Sequence, residues 1–259
     1  MSSANKLVDS RGFYERNLPT GFSSLDENGV RWTRGELTAI AARPSVGKTA
    51  FALSSALKIA SKYPVNVLFF SLEMSTEKIA KRMELMSGGD NKRLKKYMDA
   101  RVSFVHTPAL SFDECESRIH EFRSFNVNPV IFIDYLQLIS DTVGYGSSYA
   151  DALGYKAERL KEIAKDNEVP IVALTQMIHR WQPQYYAPSA KDIRDYDYIE
   201  PYLDSLIILD ETENRDSNDR RVIIAKSSKG ISKVFNFKME NALLSETSRK
   251  AFFINSGRG

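Results

Sequence analysis

Cysteine is nearly absent: a single residue, Cys115, occurs in 259. One thiol excludes an intrachain disulfide framework and any zinc cluster built on cysteines. It also favours a reducing compartment. Excess charge is small as well, since 36 Lys and Arg face 33 Asp and Glu for a net charge of +3. That balance excludes histone-like binding through bulk charge, while leaving room for a local basic patch. Long apolar runs are missing. Stretches such as 67–70 and 130–133 are far too short to span a bilayer. The opening MSSANKLVDS has no apolar core of signal-peptide type, and neither end carries a lipidation signal. These absences lead to the expectation of a cytoplasmic globule without a membrane partner. What is present is ordinary: 42% hydrophobic and 27% charged residues, enough to bury the core of one large domain.

Along the chain there is no repeat and no low-complexity stretch. Residues 1–16 are polar and aperiodic and read as a flexible lead, with the domain proper over 17–259. Strands and helices then alternate. Residues 36–41 predict a strand that turns at Arg43-Pro44-Ser45 into a helix from Gly47 to about Lys62, with Leu53, Ala56, Leu57 and Ala60 on its apolar stripe. Further strands are expected at 65–72, 102–106, 130–133, 171–174, 206–209, 222–225 and 234–237. Helices are expected at 77–86, closed by Gly88-Gly89, from a capping box at Ser111–Glu114 to about Phe125, and at 150–166. This alternation predicts an α/β fold: a central, mostly parallel sheet flanked by helices, with the last two strands an antiparallel hairpin at its edge. Two polar stretches, 140–149 and 179–197, follow strands at the end where open α/β sheets place ligands.

The strongest motif is Ala42-Arg43-Pro44-Ser45-Val46-Gly47-Lys48-Thr49, followed by Ala50. Apart from Ala42 in the first glycine position, it fits the phosphate-binding loop pattern G-x-x-x-x-G-K-[ST]. Backbone N–H groups at a helix N-terminus converge on phosphate oxygens, and the helix dipole favours the anion. Gly47 lets the backbone come close, Lys48 brings a mobile charge to the β- and γ-phosphates, and Thr49 offers a hydroxyl to Mg²⁺. A nucleotide polyphosphate with Mg²⁺ is therefore the expected ligand. Asp134, ending the strand at 130–133, can hold a metal-bound water. Glu73, just past another strand, suits a general base and is expected beside the phosphate-loop strand. Gln176, past a third, can sense a γ-phosphate and report its loss to the loop that follows.

These residues resemble the motor domain of DnaB-type replicative helicases. The resemblance rests on Ala41 to Thr49, Ser71-Leu72-Glu73-Met74-Ser75, Ile133-Asp134-Tyr135-Leu136-Gln137-Leu138, Val172-Ala173-Leu174-Thr175-Gln176 and Asp192-Ile193-Arg194, in family order. It runs from about Thr20 to Phe253 and implies a RecA-like P-loop NTPase fold. It also implies a hexameric ring of identical chains that hydrolyses ATP and translocates on single-stranded DNA, with a primase or a helicase loader as further partners. By resemblance, Lys48 and Thr49 hold phosphate and metal, Asp134 is the Walker B acid and Glu73 the catalytic base. Gln176 couples hydrolysis to the two DNA loops, and Arg194 matches an arginine beside the DNA backbone.

Two departures stand out. The family ends a late strand with Lys-x-Arg reaching into the neighbouring subunit's ATP. Lys226 matches the lysine, but Ser228 stands in place of the arginine finger, with Lys229 a possible point-charge substitute. After Arg194 the family's glycine-containing turn is replaced by Asp195-Tyr196-Asp197, which adds repulsion and bulk near a phosphate backbone. These departures keep an alternative open: an ATP-binding adaptor or regulator of replication without motor activity.

Other features read plainly. Arg180 and Lys191 join Arg194 as candidate DNA contacts, and Trp181, Tyr185 and Tyr186 either stack single-stranded bases or pack on a neighbouring subunit. His106, His120 and His179 lack ligand spacing. Met74, Met83 and Met86 read as core, and the Lys92–Lys96 run as a solvated helix face.

Overall fold

A computed structural model describes residues 16–140, 148–177, 188–212 and 217–253. The chain enters through a short pairing of β1 (Asn17–Leu18) with β2 (Trp32–Thr33), between which lies α1 (Ser23–Glu27). Then β3 (Leu37–Ala42) feeds α2 (Lys48–Lys62), and β4 (Asn66–Ser71) feeds α3 (Thr76–Ser87) and α4 (Asn91–Met98). Next come β5 (Val102–His106), α5 (Phe112–Phe125), β6 (Pro129–Asp134), α6 (Tyr149–Asp166) and β7 (Ile171–Gln176). The last part holds α7 (Tyr196–Ile199), β8 (Ser205–Glu211), β9 (Asp219–Lys226), β10 (Lys233–Glu240) and β11 (Leu243–Phe253).

Nine of these strands form one sheet in the order β11-β10-β9-β8-β3-β7-β6-β4-β5. Every pairing from β8 to β5 is parallel, and every pairing from β8 outward to β11 is antiparallel. Strand β3 therefore has β7 on one side and β8 on the other. The expected hairpin exists as β9–β10 but is not the edge, because β11 pairs with β10 beyond it. A second expectation also changes. Strand β4, which leads to Glu73, does not lie beside the phosphate-loop strand; β7 and β6 stand between them. In a parallel sheet neighbours in space are set by crossovers, and these skip positions that are consecutive in sequence.

The sheet's two faces divide the core. On β3, Ile40 and Ala42 face the side covered by α2, while Leu37, Ala39 and Ala41 face the side covered by α6. Strands β6 and β7 alternate in the same way, and all their residues from Pro129 to Asp134 and from Ile171 to Thr175 are buried. Such strands, covered on both faces, read as continuous apolar runs. On the α2 side Phe132 stacks on Phe69 at 5.7 Å and meets Trp32 edge-on at 6.0 Å. The Trp32 indole N–H donates to Ser55 Oγ at 3.1 Å, and that hydroxyl donates onward to Thr20 O. Each large side chain buried in this way contributes roughly 1.5–3 kcal/mol. At the start of α5, Ser111 Oγ accepts from Glu114 N at 3.2 Å. The Glu114 carboxylate turns to Arg118 instead of completing the expected capping box. Met83 and Met86 are buried, and Met74 packs against the same core. Among the described residues no helix is long and apolar enough to cross a membrane.

Candidate nucleotide site

The phosphate loop runs from the end of β3 into α2. Ala42 is the last strand residue, Gly47 is the N-cap, and Lys48 opens the helix. Two residues of the loop take left-handed backbone angles: Ser45 at φ 66° and Gly47 at φ 120°. At Gly47 a glycine is required twice over. A side chain would be strained at that angle, and its Cβ would meet Met239 Sδ of β10 at 3.0 Å. Pro44 and Ser45 are exposed, Gly47, Lys48 and Thr49 are half-buried, and Arg43, Val46 and Ala50 are buried. The loop thus turns its crest outward and anchors its ends in the core.

The three polar strand-end residues lie on one edge of the sheet, in the order Gln176, Asp134, Glu73 on β7, β6 and past β4. Ala42 and Gln176 are register partners, and Met177 N donates to Ala42 O at 3.0 Å. Ser71 and Asp134 are register partners too, with Leu72 N donating to Asp134 O at 2.9 Å. Gln176 and Glu73 are exposed, whereas Asp134 is 1% exposed. The Asp134–Tyr135 peptide is cis.

Charge at this edge comes from Asp134, Lys48 and Glu73. Neither carboxylate oxygen of Asp134 has a partner at full hydrogen-bond geometry. Burial pushes the carboxyl up to about 6, with the nearby Thr49 hydroxyl and Lys48 ammonium pulling the other way. Burial likewise lowers the Lys48 ammonium, with Asp134 and Glu73 opposing it. A buried carboxylate beside a hydroxyl and an ammonium suits a hard cation that shares its coordination with phosphate and water. No group of three or more acidic, His or Cys side chains could hold a metal by itself among the described residues.

Beside this edge a cleft of about 360 Å³ is lined by Pro44, Tyr135, Gln137, Tyr149, Gln176 and Arg194, together with Met177. Gln137 Nε2 donates to Thr175 Oγ1 at 2.8 Å, tying the segment after β6 to β7. Arg194 is largely exposed; its guanidinium lies 4.4 Å from the centre of the Tyr149 ring and pairs with Asp195 at 3.4 Å. Asp195 takes φ 55°, a left-handed turn that Asp tolerates better than most residues. Lys191 is exposed on a 3-10 turn, Ala190–Asp192. Arg180, Trp181, Tyr185 and Tyr186 lie outside the described residues, as does 141–147 of the first polar stretch.

Lys226 is remote from this edge. Its ammonium donates to Glu200 O at 2.7 Å. Ser228 Oγ donates to the Glu36 carboxylate at 3.1 and 3.2 Å, and Lys229 Nζ to Asn17 Oδ1 at 2.8 Å. Burial lowers the Lys229 ammonium. Both lysines are thus engaged within their own chain.

The antiparallel half contributes residues that no sequence motif marks. Asp210, 1% exposed near the end of β8, faces Arg43 of the phosphate loop at 3.9 Å and Arg221 of β9 at 2.6 Å. Burial pushes its carboxyl upward while Arg43 pulls it back. Arg220 Nε donates to Val46 O at 3.0 Å. Asp210 carries the same signal as Asp134, a polar residue closing an apolar strand; Arg220 carries none.

The DnaB-like helicase C terminal domain family matches residues 17–245. Replicative DNA helicase DnaB of Geobacillus stearothermophilus is 32% identical over 249 residues, covering 87% of this chain and 55% of that protein. Replicative DNA helicase DnaC of Bacillus subtilis is 31% identical, covering 82% of this chain and 52% of that protein. The chain thus spans about half the length of these curated relatives. Among solved structures, a DnaB-like replicative helicase, solved to show its interactions with primase, superposes with a TM-score of 0.82 at 24% identity, over 89% of this chain and 63% of that one. A separately solved ATPase domain gives 0.81 at 23% identity, over 95% and 96% of the two chains. The fold is RecA-like, and the chain belongs to the DnaB-like helicase C-terminal domain family.

Proposed function

We propose that this chain is the motor domain of a replicative DNA helicase, hydrolysing ATP with Mg²⁺ and moving on single-stranded DNA in the cytoplasm. One observation carries the reading beyond kinship: the Asp134 carboxylate, buried and without a partner at full hydrogen-bond geometry, lies beside the Thr49 hydroxyl and the Lys48 ammonium at the start of α2. A charge buried at such cost persists where a cation offsets it.

In this reading the amides of the loop from Ala42 to Ala50 and the Lys48 ammonium hold the phosphates. Thr49 and Asp134 would hold Mg²⁺, which when bound would neutralise charge on the phosphate oxygens. Glu73, exposed at the same edge, accepts the proton of the attacking water. Gln176 lines the cleft beside the phosphate loop together with Arg194, so loss of a γ-phosphate contact there is felt where DNA would pass. Arg194, Lys191 and Arg180 are the proposed DNA contacts. A hexameric ring, with primase or a loader as partner, is part of the same proposal.

The test is steady-state ATP hydrolysis with and without single-stranded DNA, with Lys48→Ala as the blank. The expected result is stimulation by DNA that Lys48→Ala abolishes. Nucleotide binding without stimulated turnover would reject the motor. It would favour the adaptor reading, which Ser228 supports by occupying the finger position with a side chain that bonds Glu36.

A further inference from the structure

The phosphate loop is held from the side opposite its crest. Arg220, at the start of β9, is 8% exposed. Its Nε donates to Val46 O at 3.0 Å across 174 residues of sequence. Its Nη1 donates to two carbonyls of its own approach, Ser217 O at 3.1 Å and Asp219 O at 2.8 Å. Arg220 forms no ion pair within 4 Å among the described residues, but its charge acts on the buried Asp210 carboxyl, which Arg221 and Arg43 also engage, and Glu211 is its cross-strand partner. A guanidinium has a fixed fork of donors and cannot lose its charge, so burying one against backbone carbonyls is costly. Such a placement persists where the cation has an anion to serve or a geometry to enforce.

The geometry it enforces is visible. Val46 sits between Ser45 and Gly47, both left-handed. A non-glycine residue keeps that backbone only where its surroundings over-determine it. With the Val46 carbonyl drawn towards β9, the neighbouring peptides cannot flip to present oxygen to a bound phosphate. Met239 of the adjacent β10 closes the same side, against Gly47. Asp210 ties Arg43, three residues earlier, to β8 and to Arg221. The loop is therefore anchored at both ends to the antiparallel half of the sheet.

We propose that Arg220 is a positioning residue for nucleotide binding: it fixes the Val46 carbonyl so that the amides of the phosphate loop face the nucleotide. The proposal rests on the reading of this loop as a nucleotide cradle. It involves no contact between Arg220 and the reacting atoms, so the effect belongs mainly to affinity rather than to the chemical step.

The experiment uses the full chain carrying Arg220→Gln, Arg220→Lys or Arg220→Ala. A fluorescent ADP analogue with Mg²⁺ gives Kd, steady-state hydrolysis gives KM and kcat, and melting is recorded with and without nucleotide. Loss of one charge-assisted hydrogen bond predicts a Kd and a KM raised about tenfold to a hundredfold in the Gln variant. Turnover at saturation changes by less than about threefold. The Lys variant, keeping the charge and one donor, recovers part of the affinity. Nucleotide-free melting of the Gln and Lys variants stays close to that of the parent, while the nucleotide-induced rise shrinks. Parental Kd in the Gln and Lys variants overturns the proposal. So does a loss of affinity that only follows a loss of nucleotide-free stability. If Arg220→Ala does not fold, the other two variants decide. A parent that binds nucleotide without DNA-stimulated turnover rejects the motor and leaves the Arg220 result standing; a parent that binds no nucleotide rejects both.

Discussion

Asp134 combines three properties that rarely coexist: a carboxyl group, almost complete burial and no partner at full hydrogen-bond geometry. Burial raises its folded-state pKa from 3.8 to about 6. A carboxyl shifted in this direction favours the folded state while protonated, and that contribution is lost as pH rises through the raised value. The protein in EDTA should therefore lose on the order of 2 kcal/mol between pH 4 and 7 from this group. Asp134→Asn should remove that slope and melt higher than the parent at pH 7 when metal is absent. Mg²⁺ with nucleotide should stabilise the parent and not the variant. Thermal melts at both pH values check this, and a variant melting below the parent at pH 7 in EDTA would refute it. At this scale much was legible in the sequence, because Lys48, Thr49 and Asp134 sit at fixed offsets from a strand and a helix start. Arg220 was not legible. Its role is set by a carbonyl 174 residues away, and no local pattern encodes such a distance.

The elements divide in the same way. The parallel strands were legible as apolar runs because both faces are buried. Strand β3 came out one residue later than expected, which places Ala42 inside the sheet. Sheet order was not legible, so the distance of β4 from β3 was missed. Strand β11 was missed outright. Its sequence, LLSETSRKAFF, runs without an apolar residue from Ser245 to Lys250, and an edge strand needs no second apolar face. Removing β11 would leave β10 as the edge, with the rings of Phe235 and Phe237, now buried, on its inner face. A chain ended at Ala242 should be markedly destabilised and should aggregate at concentrations where the parent stays dispersed. Light scattering during a thermal ramp measures this; a dispersed, cooperatively melting truncation would show that β11 is dispensable.

For the whole molecule, the question is how one subunit acts on the next. Ser228 bonds Glu36, while Lys226 and Lys229 are occupied by Glu200 and Asn17 of the same chain. Both lysines of this segment thus bond groups of their own chain in the single chain, Lys229 at the surface. An arginine finger contributes about 10³–10⁵ in rate where it acts. Under the ring proposal, Ser228→Arg should raise DNA-stimulated turnover at least about tenfold. The gain should grow with protein concentration, because the finger serves a neighbouring site. Equal turnover in parent and variant across a dilution series would place the missing charge elsewhere. Such assembly experiments need probes, and Cys115 makes them simple. It is fully buried on α5, and burial pushes its thiol up to about 12. A thiol that neither ionises near neutral pH nor meets solvent does not react with maleimides or disulfide reagents. The native chain is thus already a background-free host for a single engineered cysteine, and subunit contacts can be labelled without first removing the one it has.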